Sequence, residues 1–478
     1  MMRKLFVALL VGAVAVGLAA PAFAADLKFM GAYRVRFQFD KGLDCLSRQV
    51  PPAAATDCDG HEFQTRFRPR FEVETEGGVK GVLYLEIGDV TFGQGGASDV
   101  TAPGTATTNR EGGGHGADGL NVETKWAYID FPIPATPLRL RAGIQPYFLS
   151  KALILDDDGS GLSLYGKLGE VNANAWWFRT NKAEASIGSF AGQIASSASG
   201  VGGATTSGVD VGADGANARD LYGLDLSMSP TKDVNLNLYF VYDHDMETAA
   251  GTPPDNTTGL WIGAAVNGKV QNIRYDFDFV YGSKETPHPV AGTKVDQKGW
   301  MLDGGVGMAF PGTPLDLEVR GWWATGWDGS ATGDIDAFPI PYQGSNGHEP
   351  GTQVWGGGGA IDINALADNP QNTWAIGLIA RYTATPTLKL TANVHYIGTV
   401  EEGTGTGATA QPSPAGEGFL YGVDSVGTEI GIRADYTIAK GLVFTLTAGH
   451  LLLGDDTSID GDKFDDVTKI AGVVNYGF

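Results

Sequence analysis

Between His61 and Glu76 the sequence reads H-E-F-Q-T-R-F-R-P-R-F-E-V-E-T-E. Taken two at a time, Glu62, Gln64, Arg66, Arg68, Arg70, Glu72 and Glu74 fall on one side, and Phe63, Thr65, Phe67, Pro69, Phe71 and Val73 on the other. Side chains alternate across a β-strand, so this spacing predicts a strand with one charged and one aromatic face. Arg34 and Arg36 repeat the spacing in the run Leu27 to Asp40, Lys80 in the run from Val79, and Arg139 and Arg141 in the run from Leu138. Neighbouring strands lie about 4.8 Å apart, so the cations stack into one basic patch. Such a patch is costly unless it is wet and faced by anions. Two uses fit it: a constriction that attracts anionic solutes, or a salt-bridge lattice with Glu62, Glu72, Glu74 and Glu86 that fills a wall.

Asp156, Asp157 and Asp158 form the second group with chemistry to offer. The pattern puts them in the third long loop. If that loop folds inward, it sets an acidic edge against the basic wall, and charged rings are a known selectivity device. A Ca²⁺ site built from these oxygens, or a solvated turn, are the other readings. The loop from Thr91 to Gly119 is an alternative inserted segment. No catalytic set emerges. Gly114 to Gly119 satisfies G-x-G-x-x-G but leads into a strand without a βαβ unit, a chance match. His61-Glu62 lacks the second histidine of a zinc protease, and no G-x-S-x-G occurs. The expectation is a protein that is not an enzyme, with no cofactor and no metal.

Composition narrows the classes. Lys+Arg 33 against Asp+Glu 55 leave a net charge of −22, which excludes nucleic acid as a partner. Residues 1–24 carry a basic start, a short apolar run and Ala22-Phe23-Ala24, the three parts of a signal peptide, with cleavage expected after Ala24. No later stretch is apolar enough for a membrane helix. The two cysteines, Cys45 and Cys58, sit in the first long loop of an exported chain, where a disulfide is expected.

The two-faced runs recur to the end, giving about 18 strands. Gly161–Leu168 is the weakest of them, and dropping it with a partner leaves 16. Connections alternate: odd ones long and polar, even ones short and rich in Gly, Pro, Asn or Asp. An up-and-down membrane barrel with short periplasmic turns and long extracellular loops produces that rhythm. In such a barrel the apolar faces meet lipid and the arginines line a wet lumen. Pro69 cannot donate to a sheet ladder, so a bulge or local gap is expected there. The last run, Lys469 to Phe478, has Ile470, Gly472, Val474, Tyr476 and Phe478 on one face; pairing it with the first strand leaves no edge.

Gly116-Ala117-Asp118-Gly119-Leu120-Asn121-Val122-Glu123, Lys125 to Asp130, Arg139 to Pro146 and Leu155 to Gly161, with the C-terminal strand, resemble the outer-membrane porins of sulfate-reducing, Desulfovibrio-like bacteria. The resemblance covers mainly the first 180 residues; the middle matches only in rhythm. It implies a homotrimer in outer-membrane lipid that passes small hydrophilic solutes. The acidic loops make a solvated rim and could bridge to lipopolysaccharide through divalent cations. The functional expectation is a passive diffusion porin whose basic wall favours anions. The alternatives are a substrate-specific channel for organic anions or sugars, and a barrel sheath within a larger complex.

Overall fold

The structure is a computed structural model. It describes residues 25–43, 46, 58–93, 113, 122–181, 218–245, 257–287, 294–326, 335–340, 351–356, 361, 363, 366, 370–402, 423–455, 458–459 and 462–478. The expected signal peptide (1–24), Cys45 and the G-x-G-x-x-G segment (114–119) lie outside these described residues.

The alternating runs become β1 (Ala25–Lys41), β2 (Asp59–Thr75), β3 (Lys80–Thr91), β4 (Val122–Pro132), β5 (Leu138–Phe148), β6 (Asp156–Leu168), β7 (Val171–Asn181), β8 (Ala218–Thr231) and β9 (Val234–Asp245). The second half supplies β10 (Thr257–Val270), β11 (Ile273–Pro287), β12 (Lys294–Ala309), β13 (Leu315–Ala324), β14 (Thr373–Thr385), β15 (Leu388–Thr399), β16 (Ser425–Ala439) and β17 (Leu442–Leu453). A small hairpin, β18 (Ser458–Ile459) and β19 (Asp462–Lys463), decorates the last loop before β20 (Val467–Gly477). Apart from that hairpin, 18 strands form one antiparallel sheet, and β1 pairs with both β2 and β20, so the sheet closes. The Gly161–Leu168 segment is a full strand, part of β6, and the count is 18 rather than 16.

Even-numbered connections run from two to five residues and odd-numbered ones from six to 48. Closure is completed at the C-terminus, where the Gly31 N–H donates to the Phe478 carbonyl at 3.0 Å and the Phe478 N–H to Gly31 at 3.1 Å. Phe478 also packs on Phe29 and Phe67, with ring centres 5.5 and 6.2 Å away. Pro69 sits opposite Gly31 of β1, and the β2–β3 ladder skips from Phe67 to Arg70 with a register shift just before, between Thr65 and Phe67. The expected local gap is therefore present.

The distribution of side chains is the reverse of a water-soluble sheet. Phe29, Val122, Phe148, Leu238, Val270 and Ile432 are 54–60% exposed on the outside. Arg34, Asp243, Glu429 and Lys469 are 4% exposed or less on the inside. Hydrocarbon offers no hydrogen-bond partners, and only a closed ladder with an apolar exterior satisfies every strand there. The chain is a transmembrane β-barrel.

Candidate functional site

The polar faces of β1, β2 and β3 do converge on one wall of the lumen. Arg34 donates through Nη2 to both carboxylate oxygens of Asp89, at 2.8 and 2.9 Å. Arg36 reaches the same carboxylate at 3.0 Å and the Gln64 side-chain carbonyl at 2.8 Å. Arg66 lies 3.9 Å from Glu86 and 3.8 Å from Asp89. Arg68 pairs with Glu86, and Arg70 pairs with Glu72 while its guanidinium lies 4.8 Å above the Trp126 ring. Lys80 lies 3.7 Å from Glu72 and 3.9 Å from Glu74. Further round, Arg139 and Arg141 share Asp130 at 2.7 and 3.3 Å. Arg141 lies 4.9 and 5.1 Å from the rings of Tyr128 and Tyr165.

The lattice differs from the expected one in three members, Glu62, Asp89 and Asp130. Glu62 serves Gln64 at 2.7 Å and Thr91 at 2.8 Å. Asp89 takes on Arg34 and Arg36, and a strict period of two hides it. Counting from Glu86 puts Asp89 on the lipid face. The register shift beside Gly88, whose φ of 116° suits a residue without a Cβ, turns Asp89 inward. A Cβ at Gly88 would stand 2.6 Å from the Thr65 carbonyl oxygen. Asp130 is hidden for another reason, as the single charge within the aromatic stretch Trp126 to Phe131. With both included, the cluster sets Arg34, Arg36, Arg66, Arg68, Arg70, Lys80, Arg139 and Arg141 among Glu62, Glu72, Glu74, Glu86, Asp89 and Asp130. Over all charged residues of β1 to β5, cations exceed acids by one.

Strands nine places apart in a ring of 18 stand opposite, so this wall looks across at β10 to β14, whose charges gather on β11 to β14. There Asp276, Asp278, Asp303, Asp316 and Glu318 outnumber Arg274, Arg320 and Arg381. Arg320 bridges Asp276 at 2.7 Å, Asp303 at 2.9 Å and Glu318 at 2.9 Å. Arg274 and Arg381 both reach Glu318, at 2.7 and 2.8 Å. In sequence these charges alternate with apolar residues as on β2, but acids and bases are mixed, as in Leu315-Asp316-Leu317-Glu318-Val319-Arg320, so no single-sign patch marks the wall.

Asp156, Asp157 and Asp158 are not in a loop. They open β6, opposite Phe148, Tyr147 and Pro146 of β5. Asp158 accepts from the Trp126 indole and pairs with Lys125 at 2.7 Å. The loop itself is only residues 149–155, and its leucines and isoleucine are driven inward instead. Leu149, Leu153, Ile154 and Leu155 are buried against Trp176, Phe178, Tyr239 and Trp261 on the inner faces of β7 to β10. This loop does fold into the barrel, yet it carries a cation, Lys151, in place of an acidic edge. Lys151 contacts Asp276, Asp278 at 3.1 Å and Asp303 at 2.7 Å. Burial by itself would lower the Lys151 ammonium, and the Asp303, Asp276 and Asp278 carboxylates overcome it, holding the pKa above the ordinary lysine range.

A second segment enters from the long β13–β14 connection. The Glu429 carboxylate on β16, fully buried, accepts the backbone N–H groups of Gln353, Val354 at 3.1 Å and Trp355 at 2.9 Å. Val354, Trp355 and Leu366 pack with Val426, Leu451 and Val467, which covers the inner faces of β16, β17 and β20. The open lumen is thus bounded by the basic and acidic walls and by two docked segments.

No family model matches this sequence, and no curated protein does. Solved structures match its shape. The outer membrane protein OprD from Pseudomonas aeruginosa superposes with a TM-score of 0.50 at 12% identity, over 96% of this chain and 95% of that one. OccAB1 of Acinetobacter baumannii gives 0.55 at 12% identity, over 96% and 98%. OccK8 (OprE) of Pseudomonas aeruginosa gives 0.51 at 12%, over 95% and 98%. At such identity the likeness is one of fold: a closed 18-strand outer-membrane barrel along essentially the whole chain.

Proposed function

We propose that the chain is a channel of the bacterial outer membrane for passive diffusion of small hydrophilic solutes, with the wall of β1 to β5 favouring anions. The observation behind this reading is the arginine-rich cluster on the lumen face of β1 to β5, set across from the acid cluster of β11 to β14 that Lys151 partly offsets. A small anion passing between them is drawn to the arginines, and the carboxylates behind each arginine hold it extended. Planar-bilayer recordings under a salt gradient test this. Anion-selective reversal potentials are expected; cation selectivity would overturn the anion preference, and absence of conductance would overturn the channel.

A narrower reading, a channel specific for organic anions, draws support from the two segments docked in the lumen, since a confined path discriminates by shape. Competition of a small carboxylate with chloride current separates the two. The same proposal covers the remaining expectations: residues 1–24 as an export signal, a Cys45–Cys58 disulfide, contact with lipopolysaccharide at the rim, and the homotrimer that the resemblance to porins of sulfate-reducing bacteria implies. A heat-resistant species of three times the chain mass in detergent is the expected sign of the trimer.

A further inference from the structure

Between the two charged walls, under the docked 149–155 loop, the lumen face of β5 to β8 holds a recess of about 460 Å³. That size suits a small-molecule ligand. Its lumen-facing boundary includes Ser163, Tyr165, Asn174, Trp176, Asp225 and Ser227. Asn237 of β9 continues the floor, because it stands opposite Ser227 and donates its amide to Asp225 at 2.8 Å. The row goes on through Asn235, which donates to Asn267 at 2.9 Å and accepts from Ser229 at 2.6 Å.

The recess has a mismatch in hydrogen bonding. The side-chain carbonyl oxygen of Asn174, in its lining, is buried and has no partner among the described residues, and that of Asn237 on the adjoining floor is in the same condition. Buried acceptors without donors are costly, about 1–3 kcal/mol each, so whatever fills the recess must bring hydrogen-bond donors. Arg141 and Lys167 also border the recess, opposite Asp225, so the charges around it are mixed in sign. Trp176 and Tyr165 add ring surface at its edge. A neutral ligand with several hydroxyls meets all three conditions: donors for the amide carbonyls, acceptors for the cations, and apolar C–H faces for the rings.

We propose that this recess is a binding subsite for neutral polyhydroxylated solutes, sugars or polyols, along the conduction path. The inference rests on the channel reading. Its test is current block by a neutral trisaccharide in single-channel bilayer recordings, with a hexitol as a second probe. Concentration-dependent block is expected, and Asn174→Ala and Asn237→Ala, made separately, are expected to raise the half-blocking concentration about tenfold each. Ion conductance without sugar should stay within twofold of the parent; either variant that inserts and conducts carries the test. A conducting channel whose current is unaffected by the saccharide, or whose block is indifferent to both substitutions, overturns the subsite and leaves the channel intact. Stronger block by a protonated diamine that Asp225→Asn abolishes would also overturn it, in favour of a cation site. A protein that conducts nothing fails the channel reading itself.

Discussion

The wall of β1 to β5 and the wall of β11 to β14 are built from the same residue types and end with opposite charge. On the first, each arginine is backed by a carboxylate on its own strand or within two strands of it, and the inserted β13–β14 connection touches only its edge, where the Ile363 N–H donates to Gln38 at 2.9 Å. On the second, acids cluster around Arg320, and a lysine arrives from a loop to satisfy them. Intrastrand and cross-strand pairing can be completed within a sheet, so the first wall stands alone. The second is incomplete without Lys151, so its electrostatics and the position of the 149–155 loop are one property. A local charge pattern thus sets the electrostatics of one wall, and a long-range contact sets those of the other.

Four experiments break or sharpen that contrast, and the largest effect is expected on the first wall. Arg66→Ala with Arg68→Ala removes two unit charges, each worth about 1 kcal/mol at 4 Å even with the dielectric of water. The anion-to-cation permeability ratio should fall about tenfold, read from reversal potentials; an unchanged ratio would reduce the arginines to wall filler. Next, Lys151→Met strips the second wall of its loop cation. A smaller move in the same direction, about threefold, should come with noisier open-channel current as the loop loosens; quiet current would mean that the apolar packing alone holds it.

The pH response belongs to the same latch. Because the folded pKa of Lys151 lies above its unfolded value, the latch is fully present below the unfolded pKa and is lost only as pH rises through the higher folded one. Open-channel noise should therefore be flat from neutral pH to the top of the ordinary lysine range and rise beyond it. A rise that begins near neutrality would assign the titration to another group. The smallest effect on selectivity is expected from Glu429→Gln, which loosens the 351–356 segment without touching either charged wall. Conductance should rise by less than about twofold for anions and cations alike, and melting in detergent should fall. A change in ion preference would show that this segment acts on the walls.

Two amino-acid alternations, one aromatic and one charged, sufficed to read the barrel, its closing strand and the rhythm of its loops. Period two is a property of the strand backbone itself, and lipid outside with water inside merely reverses which face is which. The same period puts the eight cations on the face opposite the aromatic one. The sequence could not place Asp89, because a one-residue register shift at Gly88 reverses every face after it. Nor could it place the acids at 156–158, where the apolar run 149–155 leaves the loop too short to hold them. Pairing Lys151 with Asp276, more than a hundred residues later, and Glu429 with the 353–355 backbone needs a closed ring to bring distant strands face to face. Charge sign and strand period are local, whereas which charge meets which is decided by curvature and closure, and those exist only once the sheet has folded.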